Sequence, residues 1–467
     1  MNEIKARVDV KHPYLVMMGL YLGAFIGMFS ETSLNVALPQ LMKVFQVESS
    51  LAQWLVTGYM LVIGIVLPFA SLLMKWFPIR KLSTFALSAF LIGSLISGFA
   101  PSFAILLIGR LIQGIGTGLV LPMMFSVVLE VFPPNKMGRA LGVTSLIIMF
   151  APAIGPTLSG IFLAVASWRI LFFLFAIILF VGLIFTQKYM VDPYEITKPE
   201  IDKLSCITSC IGFGGIVLGV GLASAYGWLS SVVLICLIIG FISLFIYAKR
   251  QLSMENPILN LRAFKTGRFT LGTILVTLNF GITLSAMYLF PQYLQNGAGY
   301  AVALTGLIML PGGVVNAVVS LLSGSLYDKF GAKAPSRIGF LISIIGAVLL
   351  LFVSQSTSLS YVIVCHVLLM IGVPLVMSPS QSYALNSLPK EISTDGSTIL
   401  NTLQQVFGAI STAIATSLLG IGQSAYIGEN TQAAFTNGVH YGFTFTLILA
   451  ILGLLLSLKV KKQDHLD

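Results

Sequence analysis

The sequence predicts an all-α integral membrane protein of fourteen transmembrane helices, two six-helix bundles with two extra central helices between them. Three observations carry this. First, the 467 residues are 57% hydrophobic and only 9% charged, whereas soluble domains carry about 25% charged residues. So much apolar surface cannot be hidden from water, and the chain belongs in a bilayer. Second, apolar runs of about 20 residues, the length that crosses a hydrocarbon core, recur along the whole chain. Third, the basic residues fall almost entirely on one side of the topology those runs define.

Taken in order, the predicted spans are 14–38, 52–74, 82–99, 103–130, 140–163 and 168–187, then 205–225 and 231–248, then 270–290, 303–326, 337–354, 360–384, 397–419 and 439–459. The first is too long for a signal-peptide core and no A-x-A-like cleavage site follows it, so it is expected to be retained. The longer connections are 188–204, 249–269 and 420–438. Segment 188–204 is polar and proline-bearing. It separates an N-terminal six-helix unit, 1–187, from the extra pair, 205–248. A second linker, 249–269, leads to a C-terminal six-helix unit and tail, 270–467.

An even count puts both termini on one side. If that side is the cytoplasm, all of the 26 lysines and arginines except Lys43, Arg110 and Arg169 are cytoplasmic. This is the positive-inside asymmetry, and it predicts a multi-pass protein of the cell membrane with cytoplasmic termini. The net charge of +10 is thus a topology signal. It is dispersed over many short loops, unlike the basic patch of a nucleic-acid binder.

Catalytic signatures are missing. There is no H-E-x-x-H, G-x-S-x-G or Walker loop, which argues against an enzyme and against intrinsic ATP drive. The four cysteines, Cys206, Cys210, Cys236 and Cys365, all lie in apolar runs. A lone C-x3-C without histidine is not a metal signature. No cofactor or metal is expected.

Against this background the stretch "FIGMFSETSLNVALP", Phe25 to Pro39, stands out. Glu31 is the only carboxylate deep in a predicted span. An ionised group near the bilayer centre costs at least about 2.5–3.5 kcal/mol, so such a residue faces a partner or a wet cavity. Counting 1.5 Å per residue places Glu31 about 25 Å along the first span, and Arg110 about 10 Å from the outer face on the fourth. Their depths are similar. Other polar residues within spans are few: Asn35, Gln53, Tyr59, Gln113, Asn279, Gln292, Asn316, His366, Asn401, Gln404 and Gln405. Some of these should line a central pathway. The 17 Met and 32 Phe suit an adaptable apolar site.

Four stretches make the chain resemble the 14-helix drug:proton antiporter branch of the major facilitator superfamily, the EmrB/QacA type. They are "SETSLNVALPQL" around Glu31, "LLIGRLIQGIGTGLVLP" from Leu106, "APAIGPTLSG" from Ala151 and "GSLYDKFGAK" from Gly324. The resemblance implies the major facilitator fold and export of lipophilic or amphipathic drugs or dyes by alternating access, driven by protons, in a lipid-embedded monomer. It places Glu31 and Arg110 in one bundle, lining its cavity, where a direct or water-bridged pair would form. Glu31 is then expected to be the proton-coupling carboxylate; a permanent brace with Arg110, or substrate binding alone, are the other readings. Asn35, Tyr59, Gln113, Asn279, Gln292, Asn316, Asn401 and Gln404 are expected at the substrate cavity. Gly155 and Pro156, and Gly324, Asp328, Lys329 and Gly331 of the loop motif, are expected to control conformational change. A fixed kink is the plain alternative for Gly155-Pro156. The first copy of the loop motif departs from the pattern: Ser71, Lys75, Trp76 and Pro78 stand where the family has glycine, aspartate, arginine and glycine. A metabolite or lipid exporter of the same fold, and a non-transporting membrane sensor, remain as alternatives.

Overall fold

The computed structural model describes residue 10 and residues 12–132, 137–192, 196, 198, 202–255 and 257–460. All regular structure among them is helical, as a bilayer demands of an open chain: a helix satisfies its own backbone polar groups where no water can. The first unit comprises α1 (Pro13–Phe45), the short α2 (Ser49–Ala52), α3 (Trp54–Trp76), α4 (Ile79–Gly98), α5 (Phe103–Val131), α6 (Met137–Val165) and α7 (Arg169–Tyr189). The extra pair is α8 (Lys203–Tyr226) and α9 (Ser231–Ser253). The last unit comprises α10 (Gly267–Gln292), α11 (Val302–Phe330), α12 (Lys333–Leu350), α13 (Leu359–Leu385), α14 (Lys390–Ser424) and α15 (Thr431–Ser457). Leaving out α2, fourteen long helices result, thirteen of them apolar enough over their described residues to cross a membrane and α6 the other.

The ends of several helices lie beyond the apolar runs. α1 continues past the predicted end at 38 to Phe45, where Gln46 adopts a left-handed φ of 53° and closes the last turn on the Met42 carbonyl. α14 and α15 begin at Lys390 and Thr431 instead of 397 and 439, so the expected long connection 420–438 is a short turn. At the starts of α14 and α15 polar residues extend the helix beyond the apolar core, and in α1 the helix runs on through Pro39, Gln40 and Lys43; hydropathy marks what lipid covers, not where helical hydrogen bonding stops. Side-chain caps fix other starts. Asp202 accepts from the Ser205 N–H, Ser230 from Val233 and Asn430 from Ala433.

The two six-helix units meet along three seams, α3 on α14, α6 on α11 and α1 on α10. Small residues make the approaches close. A Cβ on Gly160 would sit 2.7 Å from the Gly306 Cα, and one on Gly64 2.8 Å from Val406 Cγ2. At the end distal to the N-terminus, Ser49 Oγ and Tyr288 Oη are 2.8 Å apart and Gln295 donates to the Val36 carbonyl. The extra helices lie outside this assembly. α8 runs along the α3–α14 seam and touches both, with Trp228 donating to Ser417 Oγ at 3.1 Å. α9 packs on α8, and its apolar side chains Phe241, Ile242 and Phe245 are exposed to the surroundings.

Candidate functional site

Glu31 lies midway along α1, 1% exposed. Neither carboxylate oxygen has a hydrogen-bond partner among the described residues. Of the direct or water-bridged pair expected with Arg110, the direct form is not present. Arg110 is fully buried, but its guanidinium is spent elsewhere. Nε donates to the Leu55 carbonyl at 3.0 Å. Nη1 donates to Ser30 Oγ and to Gln113 Oε1, at 2.5 and 2.7 Å. Nη2 reaches the Ser30 carbonyl at 3.4 Å. The Tyr59 ring covers it, 4.1 Å from ring centre to Cζ. The reason is geometric: the planar fork of five donors finds neutral acceptors on α1, α3 and its own helix, and the residue before Glu31 occupies the place the carboxylate was expected to fill.

This cluster extends. Gln113 Nε2 donates to Ser94 Oγ, and Ser94 in turn to the Phe90 carbonyl. The Tyr59 hydroxyl bonds the Gly27 carbonyl at 2.9 Å and Thr117 Oγ1 at 2.7 Å. Tyr59 and Gln113, expected at the substrate cavity, therefore spend their polar atoms tying α1, α3, α4 and α5 together. Ser30 and Thr117 were not singled out in the sequence; a hydroxyl beside a buried arginine is too common a residue to mark in advance.

Glu31 instead looks across the seam. Besides Arg110, the group that acts on its carboxylate is Gln405 of α14, which approaches outside hydrogen-bonding geometry and leaves its own Oε1 unpartnered. Asn35, one turn along α1, also has a buried, unpartnered Oδ1. In the second unit, Asn401 is half-buried on α14 and Gln404 reaches Met377 Sδ at 3.6 Å. Asn279 donates to the Val373 carbonyl and Asn316 to that of Met370, so both link neighbouring helices. Gln292 accepts from Asn296 and keeps an unpartnered Nε2. His366 is buried against Phe290 with both ring nitrogens unpartnered. The structure brings Glu31 and Gln405 together at the seam and leaves Asn279, Gln292 and Asn316 bonded within the second unit.

Gly155 and Pro156 sit where α6 crosses the turn of α1 that holds Glu31. A Cβ at Gly155 would lie 2.3 Å from Thr32 Oγ1, and that hydroxyl donates to the Pro152 carbonyl at 3.0 Å. Proline at 156 leaves the 152 carbonyl without its helical donor, and Thr32 supplies one. On the other side of α6, the Pro156 and Thr157 carbonyls lie against Gly306 of α11. Of the loop-motif residues, Gly331 ends α11 with a φ of 65°. Lys329 stacks over Phe330 at 5.4 Å. A side chain at Gly324 would meet nothing within 4 Å. The Asp328 side chain lies outside the described residues. No group of three or more His, Cys, Asp and Glu side chains suited to a metal occurs among the described residues.

A helical membrane protein of two six-helix units, with polar groups gathered at the seam between them, defines a transporter and not an enzyme. The chain belongs to the Major Facilitator Superfamily, whose sequence profile matches residues 20–412. It is 43% identical over 457 residues to lincomycin resistance protein LmrB of Listeria monocytogenes serovar 1/2a, covering 96% of this chain and 97% of that protein. It is 44% identical over 464 residues to the LmrB of Bacillus subtilis strain 168, covering 96% of each. A solved POT family transporter in complex with 5-aminolevulinic acid superposes with a TM-score of 0.70 at 16% identity, over 95% of this chain and 94% of that one; that likeness concerns the fold.

Proposed function

We propose that the protein is a proton-coupled exporter of lipophilic or amphipathic drugs, with Glu31 as the group that carries the proton. The observation behind this reading is the position of Glu31: buried at the seam, next to Gln405 of the opposite unit, with both oxygens unpartnered while Arg110 is engaged elsewhere. An unpaired buried charge costs several kcal/mol. A proton on Glu31 removes that cost in this packing, and water or a cationic substrate removes it when the seam opens. The same side chain therefore prefers different partners in different packings of the two units, which is what exchange of a proton for a drug requires. The two six-helix units are the moving bodies, the termini are cytoplasmic and a monomer suffices. The likeness to proteins named for lincomycin resistance makes lincomycin the first cargo to try.

The test is efflux of lincomycin and of a lipophilic dye from proteoliposomes under an imposed pH gradient. Native protein should need the gradient. Glu31→Gln, which keeps the shape but cannot exchange a proton, should carry cargo no faster with the gradient than without it. Full gradient dependence in Glu31→Gln would remove Glu31 from the coupling step.

A further inference from the structure

Two amides stand side by side on α14 and face different ways. Gln404 turns into its own unit, to Met377 Sδ at 3.6 Å. Gln405 turns to the seam. A Cβ on Gly64 of α3 would lie 2.8 Å from Val406 Cγ2 and 4.0 Å from the Gln405 Cβ. The missing side chain at 64 lets α14 close on α3 and brings Gln405 within reach of α1, where it approaches Glu31 outside hydrogen-bonding geometry. Both residues are buried. Their three side-chain oxygens, Glu31 Oε1 and Oε2 and Gln405 Oε1, have no partner among the described residues. All three are acceptors, and the donors within the pair are those of the Gln405 amide.

We propose that Gln405 is a positioning residue that reads the proton on Glu31: the protonated acid and the amide form a reciprocal pair of hydrogen bonds that ties α14 to α1 across the seam. The acid O–H donates to Gln405 Oε1, and a Gln405 N–H donates to the other Glu31 oxygen. One added proton, taken up from water, gives all three oxygens a partner and changes no other covalent bond. The ionised carboxylate cannot form this pair. It accepts an N–H, but the Gln405 carbonyl is left without a donor, a state that buried polar groups rarely keep. Protonation thus favours the closed seam and its loss favours the open one. Other groups near Glu31 do not compete. Arg110 of α5 is held by Leu55, Ser30 and Gln113, and Tyr59 of α3 by Gly27 and Thr117. Among the described residues, the other helices packed against α1 bring no charged or titratable group that acts on Glu31. The inference rests on the reading of Glu31 as the proton carrier and adds how the second unit senses that proton.

The experiment is infrared difference spectroscopy of the full-length protein in lipid nanodiscs across a pH titration. The carboxylic-acid C=O band present in native protein and absent from Glu31→Gln belongs to protonated Glu31. It should lie at the low wavenumber of an acid bonded through both oxygens, and in Gln405→Leu it should move to higher wavenumber. Spin labels placed one in each unit should show the closed seam gaining about fivefold over the open one as native protein is acidified, the effect of one hydrogen bond. Gln405→Leu should lose that gain. Gln405→Glu keeps the polarity: two protonated acids form the same reciprocal bonds and two ionised ones repel, so closure should depend on pH more steeply than in native protein. A Glu31 band at the same place in native protein and Gln405→Leu, or equal pH dependence of closure in native protein and both variants, overturns the inference and leaves Glu31 as proton carrier. Absence of any Glu31 band at every pH takes the proton from Glu31, and the transport reading falls with the inference.

Discussion

Arg110 shows how far a residue's chemistry can be read without its neighbours. Its burial followed from its place in an apolar span, and its fork geometry makes it seek several acceptors at once. Which acceptors it takes depends on the rotation of α1, which depth counting does not supply: one position of difference puts Ser30, not Glu31, against the guanidinium. The consequence is measurable by double-mutant cycles in thermal or denaturant unfolding. Arg110→Lys should cost about 2–4 kcal/mol, because an ammonium cannot reach the Leu55, Ser30 and Gln113 acceptors together. Coupling between Arg110→Lys and Ser30→Ala should be about 1 kcal/mol or more, and that between Arg110→Lys and Glu31→Gln close to zero. The reverse ranking would mean that the arginine and the carboxylate are paired in the membrane. The solitary carboxylate at Glu31 was legible because charge is rare in an apolar run; its neighbour across the seam was not, because Gln405 is one of several amides on a long helix.

At the scale of elements, the long helices were readable from hydropathy, thirteen of them apolar enough over their described residues to cross a membrane, and their ends were not, since polar turns such as the start of α14 stay helical beyond the lipid. The fifth-span motif is the clearest case where close packing explains composition. Gly155→Ala should be destabilising by about 1–3 kcal/mol, the cost of overpacking, because its methyl meets Thr32 Oγ1. Adding Thr32→Ala removes the obstructing oxygen but also the donor to the Pro152 carbonyl, so it should recover only part of the loss. Gly160→Ala meets the Gly306 backbone, and no side-chain truncation should rescue it. Equal behaviour of the two alanines would show that α6 does not lie on α1 as described. A second element-level contact ties α8 to α9. Asp202 caps α8 and pairs with Arg250, Nε to Oδ2 2.5 Å and Nη2 to Oδ1 2.8 Å, while Ser205 also donates to it. Arg250, first, and then Ser205 hold the Asp202 carboxyl well below the ordinary carboxylate range, against a smaller opposing effect of burial. A depressed carboxylate stabilises the fold above its unfolded value, about 3.9, and the contribution fades as pH falls below that value. Arg250 is 40% exposed, so solvent screening keeps the contribution of the pair small. Asp202→Asn should therefore lower the unfolding midpoint by a constant amount from pH 7 to about 5, and the gap to native protein should shrink below about pH 4. A gap independent of pH would assign the effect to the cap alone.

For the whole molecule, the six-two-six order of helices was legible and the seams were not, because contact between two halves far apart in sequence leaves no local pattern. One departure from the family pattern bears directly on those seams. Lys75 stands where the first loop motif has an aspartate, and the sequence alone leaves that end of the molecule without an evident latch. In the structure Lys75 is exposed at the end of α3, its carbonyl accepts from the Lys198 N–H, and its charge acts on Asp395 in the second turn of α14. The pair spans the two six-helix units, at a separation beyond direct ion-pair contact, so it biases the closed seam without locking it. Lys75→Asp and Asp395→Lys each set like charges against one another and should each open this end. A change of about 0.5 kcal/mol, the middle of the range for exposed charge pairs, shifts the open-to-closed ratio about twofold. Spin labels placed one in each unit at this end would report that ratio as a distance distribution, and transport rates would follow it. The exchanged pair, Lys75→Asp with Asp395→Lys, restores opposite charges and should return both readouts toward native values. If the exchanged pair is as altered as the single variants, the two charges do not act on one another, and the closure of that end rests on the apolar α3–α14 packing alone.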